Sequence, residues 1–312
     1  MVARTDATGS GTPRSLGRSR PRYGEQAIKI VLAAAALLSI ATTIGIVVSL
    51  VGPTISFFGE ISVVEFFTST KWGPLFEPPA YGVLPLVSAT LITTGIAIVV
   101  AVPLGLGAAI YLSEYAKPGV RKFFKPVLEV LAGIPTVVFG FFALSFVTPL
   151  LRSVLPFEIE IFNALSAGIV VGFMIIPIVA SLSEDAMSAV PNSLREGSFA
   201  LGASKMVTSL RVVLPAAFSG IVAAIILAVS RGIGETMIVY IAGGGQPNFT
   251  LDVGKAMQTM AAFIAQAGSG DVPVGTTEYN TIFAVGSLLF VMTFVMNYIS
   301  AIVVRKYREV YE

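Results

Sequence analysis

The 312-residue chain contains no histidine and no cysteine. Those two absences remove much possible chemistry. No His or Cys metal ligand, thiol nucleophile, Ser-His-Asp triad or disulfide can be built. Charge is scarce too. Only 12% of residues are Asp, Glu, Lys or Arg, while 55% are hydrophobic. An average soluble domain carries roughly 25% charged residues. With 20 basic and 18 acidic side chains, a fold of this size cannot cover itself with a charged skin. The composition is that of an integral membrane protein. The phosphate loop GxxxxGK(S/T) is also missing, so ATP hydrolysis by that route is not expected of this chain.

What the sequence does have is long uncharged stretches. They run over 30–59, 78–113, 130–151, 161–183, 212–230 and 279–304, each long enough for a helix to cross the roughly 30 Å hydrocarbon core. The expected fold is all-α, with six transmembrane helices at about 28–52, 84–112, 127–151, 162–182, 213–242 and 281–304. The fifth is read as one helix with two charges inside it. Pro103, with Gly105 and Gly107, should kink the second. Residues 28–306 form the transmembrane domain, between a basic, disordered tail at 1–27 and a short terminus at 307–312. Basic residues gather in 1–29, 113–126, 183–211 and 305–312, whereas the alternate connections carry only Lys71, Arg152 and Lys255. The bias places both termini on the cytoplasmic side. A cleaved leader is not expected, because the first apolar run is long for one and no A-x-A site follows it.

Two places carry more than topology. In the first, Pro191-Asn192-Ser193 ends one helix, and Ser193-Leu194-Arg195-Glu196 reads as a capping box opening the next. That short helix should end at Gly202 in a left-handed turn. A second would run from Ser204 to Leu214-Pro215. From the residues alone, 193–213 is either an amphipathic connector or a docking surface. The second place is span five, where Arg231 and Glu235 stand four residues apart on one helical face. Each central charge costs roughly 2.5–3.5 kcal/mol. The pair is either a structural ion pair or part of a pathway. Arginine offers a planar set of donors to an oxyanion. A neighbouring carboxylate could accept a hydrogen bond from a protonated oxyanion such as hydrogenphosphate and repel a fully deprotonated one such as sulfate.

Spacing adds a resemblance. Glu196-Gly197-Ser198, three residues, Gly202, nine residues, then Val212-Val213-Leu214-Pro215 resembles the EAA loop of ABC-importer permeases. The departures are Gly197 and Ser198 for Ala, and Val212 for Ile. Ser230-Arg231-Gly232-Ile233-Gly234-Glu235-Thr236-Met237 is similar to a motif of phosphate ABC-transporter permeases. Trp72-Gly73-Pro74 with Tyr81-Gly82-Val83-Leu84-Pro85 resembles the first external loop of the PstC type, Gly133 to Gly140 that family's third span, and Ile175-Ile176-Pro177 its fourth. The resemblance covers about 28–306. It implies a MetI-like type I importer fold in the plasma (inner) membrane of a prokaryote and a permease subunit rather than an enzyme, with no cofactor. It implies that Glu196, Ala200 and Gly202 meet an ATPase, and that Arg231 and Glu235 line the phosphate path. The partners implied are a PstA-like permease, a PstB-like ATPase dimer, a PstS-like phosphate-binding protein and membrane lipid, without nucleic acid.

Alternatives remain at this point. One is an importer for another oxyanion, molybdate or phosphonate. Another is a stand-alone secondary transporter, which predicts inverted-repeat symmetry that the sequence does not display. An intramembrane enzyme is disfavoured because no Asp or Lys falls within a span. Lesser expectations are helix packing through Gly168 and Gly172, a flexible exit at Gly243-Gly244-Gly245, a short helix within 253–267 at the outer surface, and Glu129 either solvated or near Lys125.

Overall fold

In the computed structural model, residues 23–307 are described, and most of them are helical. The chain divides between Ser49 and Leu50 into two compact units. The described part of the first, 23–49, belongs wholly to α1 (Tyr23–Glu60). The disorder expected over 1–27 lies outside the described residues up to 22, and from Tyr23 onward the chain is already helix.

The second unit contains the rest. After α1 come α2 (Val63–Thr68), a two-stranded antiparallel ribbon of β1 (Trp72–Gly73) and β2 (Ala80–Tyr81), and α3 (Leu84–Ile110). A π-helical turn, Tyr111–Tyr115, ends α3. Then follow α4 (Pro118–Ala132), α5 (Thr136–Phe142), α6 (Thr148–Val154) and α7 (Ala164–Ser188). The short α8 (Asn192–Ala200), α9 (Lys205–Thr208) and α10 (Leu214–Ala216) lead to α11 (Phe218–Ile233) and α12 (Met237–Gly243). Last are α13 (Met260–Gly268) and α14 (Thr277–Tyr307). Among the described residues, five helices or helical runs are long and apolar enough to cross a membrane, and a sixth span appears if a bent pair is counted as one.

Two expected spans are broken. The segment 127–151 divides at Gly133-Ile134-Pro135, because proline has no N–H to donate and disfavours helical torsions in the residue before it. The segment 213–242 divides twice: 205–216 and α11 meet at 72°, and α11 stops before Gly234. The other spans form; α1, α7 and α14 continue past their uncharged stretches into charged residues, whereas α3 begins only at Leu84, after the prolines that open its stretch.

α3 and α7 run parallel and make the central seam. A Cβ on Gly168 would lie 2.7 Å from Ile96 Cβ, and one on Gly172 would lie 2.8 Å from Val100 Cβ. The GxxxG pair is therefore used inside the chain, letting two backbones approach. Beside this seam lie Ala97, Ala101, Val171 and Ile175, all buried.

The second unit has two distinct ends. At one, an aromatic cluster of Phe57, Phe66, Trp72, Tyr81 and Phe263 packs edge to face. Here the expected surface helix differs from its reading. α13 starts at Met260 and is buried on Met260, Ala261, Ala262 and Phe263. Thr259 caps it, accepting from Ala262 N at 3.2 Å, and Met260 N donates to Thr90 Oγ1 of α3 at 3.1 Å. The preceding residues form a turn and irregular chain instead. Their carbonyls at Val253, Gly254 and Lys255 accept from Leu165, Glu160 and Ala164, at and just before the start of α7. The glycine run is likewise ordered: Gly243 O accepts from Met257 N at 2.8 Å, and Gly244 takes φ +90. The opposite, basic end gathers Ala109, Met187, Val190, Val213 and Ile221 beneath α8 and α9.

Candidate functional site

Arg231 and Glu235 are brought together by the break in span five. Gly234 follows the last residue of α11, and Glu235 stands in the gap before α12. Arg231 Nη1 donates to Glu235 Oε2 at 3.0 Å. Glu235 Oε1 accepts from Ile238 N at 3.3 Å, so the carboxylate also serves the open N-terminus of α12, where an acidic group is favoured. The two partners differ in exposure. Glu235 is 2% exposed and Arg231 44%. The guanidinium thus has one face anchored and one face free, and Met174 Sδ of α7 is 4.0 Å from its Nη2. The exposed side of the pair is therefore the positively charged one, and the carboxylate is buried behind it.

The surrounding helices fit closely. A Cβ on Gly140 of α5 would come 2.9 Å from Ile241 Cδ1, and one on Gly232 would come 3.2 Å from Thr94 Cγ2. The 133–140 motif therefore packs on α12, next to the pair. Thr94 Oγ1 is buried without a hydrogen-bond partner among the described residues.

The second candidate region, 193–213, lies at the basic end. Gly202 has φ +79, the left-handed turn expected of it. The capping box does not form. α8 begins two residues earlier than that box requires, Pro191 takes the capping position, and no side chain caps it. Ser193 is then already in the first turn, where its hydroxyl cannot reach the third N–H. Glu196, Ala200 and Gly202 are exposed, as are Phe199, Leu201 and Met206. Gly197 has open space around its Cβ position, so its departure from the EAA pattern is not imposed by packing. Ser198 and Thr208 hydroxyls lie 2.9 Å apart and join α8 to α9.

Two buried carboxylates at this end escaped the sequence reading. Glu184, 2% exposed, takes ion pairs from Arg121 and from Lys125 at 3.1 Å, and accepts from Ser188 Oγ at 2.8 Å. Lys125 also pairs with Asp185, not with Glu129. Its hydrogen bond to Asp185, then the Glu184 charge, raises the ammonium pKa above that of an ordinary lysine, against the opposing effect of burial. Glu114, 5% exposed, is held by Arg195 at 2.9 Å. A signal was present: each is the first charged residue after a long uncharged run.

Comparison with known proteins assigns the chain. Residues 101–309 match the model of the family described as binding-protein-dependent transport system inner membrane component. The chain belongs to that family. A probable ABC transporter permease protein of Bacillus subtilis, YqgH, is 35% identical over 85% of this chain and 86% of its own. The phosphate transport system permease protein PstC of Mesorhizobium japonicum is 32% identical over 84% of each chain. Among solved structures, a bacterial alginate ABC transporter, crystallised with its pentasaccharide-bound periplasmic protein, matches with TM-score 0.59 at 16% identity, covering 90% of this chain and 96% of the other. The MetNI methionine ABC transporter, inward facing, gives 0.52 at 19% identity over 73% and 95%. At such identities the structures show the fold alone. It is the MetI-like permease fold, in a multi-pass membrane protein.

Proposed function

We propose that this permease is the transmembrane subunit of an ATP-driven importer for inorganic phosphate, forming half of the translocation path. The observation that carries this reading is Arg231. It is a half-exposed guanidinium inside a span, fixed by a buried carboxylate in a helix break. A cation left facing outward within a membrane segment is costly unless a water-filled path or a partner surface receives it. Its planar donors suit a tetrahedral oxyanion. Phosphate is favoured over other oxyanions by the PstC relatives and by the 230–237 motif.

The other half of the path is a PstA-like permease, and a PstS-like protein delivers the anion at the aromatic end. A PstB-like ATPase pair docks at the basic end on the exposed surface of α8, through Glu196, Ala200 and Gly202 with Phe199 and Leu201 beside them. The basic end faces the cytoplasm, in keeping with its lysines and arginines. ATP binding closes the ATPase dimer, 193–213 moves with it, and the spans rock to open the path. Hydrolysis in the partner resets them.

The test is reconstitution of the complete complex in proteoliposomes with radiolabelled phosphate. ATP-dependent accumulation that excess unlabelled phosphate suppresses and excess sulfate or molybdate does not is expected. Accumulation of molybdate in its place would move the substrate to another oxyanion.

A further inference from the structure

α8 presents an exposed surface to the basic end and buries no side chain completely. A lever of that kind transmits nothing unless something ties it to the spans. Leu194 packs against the basic-end cluster, and Ser198 reaches only α9. The polar tie to the spans is made by Arg195, whose side chain is 16% exposed. Its Nη2 donates to Glu114 Oε1 at 2.9 Å, and its Nε faces the same carboxylate at 3.3 and 3.5 Å. Nη1 donates to Val190 O at 2.6 Å and Nη2 also to Met187 O at 2.8 Å.

One guanidinium thus ties α8 to the ends of two other helices. Glu114 lies on the π-helical turn that finishes α3. Met187 belongs to the last turn of α7, and Val190 follows it; Met187 O also accepts from Val190 N at 3.2 Å, so the guanidinium grips the turn that closes α7. Such charge-assisted, forked bonds fix direction as well as distance. α3 and α7 are also the pair that close glycine contacts lock together. From Met187, α7 runs about 20 Å to Met174, which lies beside Arg231. Pro177 interrupts the ladder on the way, but Gly105 of α3 is packed against Ile176 and Val179 around it.

We infer that Arg195 and Glu114 form the strut through which movement of α8 reaches α3 and α7, and so the Arg231 site. Arg195 is a positioning residue. It faces the spans and not the docking surface, unlike its neighbour Glu196. The inference rests on the proposed coupling role of 193–213 and names the contact that carries the load.

The experiment uses the reconstituted complex and reads three quantities: ATPase co-purification, ATP hydrolysis, and phosphate moved per ATP. Arg195→Ala and Glu114→Ala should retain the ATPase and hydrolyse ATP while phosphate per ATP falls about tenfold or more. The double variant should be no worse than either single one, as for residues acting as a unit. Arg195→Lys, which keeps charge but loses the fork, should fall between. An unchanged ratio, additive losses, or loss of ATPase co-purification in Arg195→Ala would each overturn the strut. If Arg195→Ala fails to reach the membrane, Arg195→Lys with Glu114→Gln carries the same test. Glu196→Lys reports separately on the coupling reading. If it leaves both ATPase binding and transport intact, the docking surface lies elsewhere, whatever Arg195 does.

Discussion

Arg231 and Glu235 are joined at 3.0 Å across a gap where one helix has stopped and the next has not begun. Within a continuous helix, the pair would be a lateral surface contact. Placed in the gap, Glu235 is anchored by Ile238 N as well, and the arginine is aimed by a carboxylate that cannot itself turn away.

Arg231→Ala should therefore remove uptake without removing the protein. Hydrogen bonds to charged groups are worth about 1.5–3 kcal/mol, so a loss of at least about tenfold in uptake is expected. Radiolabelled phosphate uptake, with co-purification of the complex as control, measures it. Wild-type uptake from a fully assembled variant would exclude Arg231 from the path.

Glu235→Gln keeps an oxygen for Ile238 N and removes the negative charge behind Arg231. The arginine should then hold any dianion more indiscriminately. Competition by sulfate against phosphate uptake should increase. Equal competition in variant and wild type would mean that Glu235 serves only to cap α12.

Glu196→Lys reverses the charge on the exposed surface of α8. ATPase co-purification should fall, with the spans themselves unaffected in detergent thermal unfolding. Unaltered co-purification and transport would remove Glu196 from the docking surface.

Gly172→Val tests the α3–α7 seam. The added Cβ would meet Val100 Cβ at 2.8 Å and Ala97 O at 2.9 Å, and overpacking of this kind costs about 1–3 kcal/mol. The melting temperature in detergent should drop, whereas Gly197→Ala, placed in open space, should not lower it. Equal melting temperatures for Gly172→Val and wild type would show that the seam is looser than these distances.

Glu184→Gln should loosen α4 from α7, since one buried charge serves both Arg121 and Lys125. The pH dependence has a defined sign. Lys125 is raised in the folded protein, so its contribution is complete below the ordinary lysine value of 10.5 and is lost only as pH rises through the higher folded value. Melting temperature should show no step from this pair between about pH 7 and about pH 9. A step in that window that vanishes in Glu184→Gln would contradict the assignment.

Composition and spacing determined the class of the protein. Too few charges for a soluble surface, apolar runs of membrane length and the 196–215 spacing are properties of the chain read in order, so they were legible without coordinates. The residues of the candidate site were legible too, because a charge inside an apolar run stands out against its neighbours. What the sequence could not decide is how each charge is held. Whether Glu196 or Arg195 faces the spans depends on how α8 lies against α3 and α7. Whether Glu235 faces an incoming anion depends on the break at Gly234. The pairs Glu114–Arg195 and Glu184–Arg121 join residues far apart in the chain, and only packing sets such partners. The capping box failed for a related reason: Pro191 already fixes the start of α8, and a shift of two residues moves Ser193 out of the position where its hydroxyl could cap. Hydrophobic patterning fixes which segments leave water. The tertiary structure decides which of the few remaining charges meet, because burying any of them requires a partner at hydrogen-bonding distance.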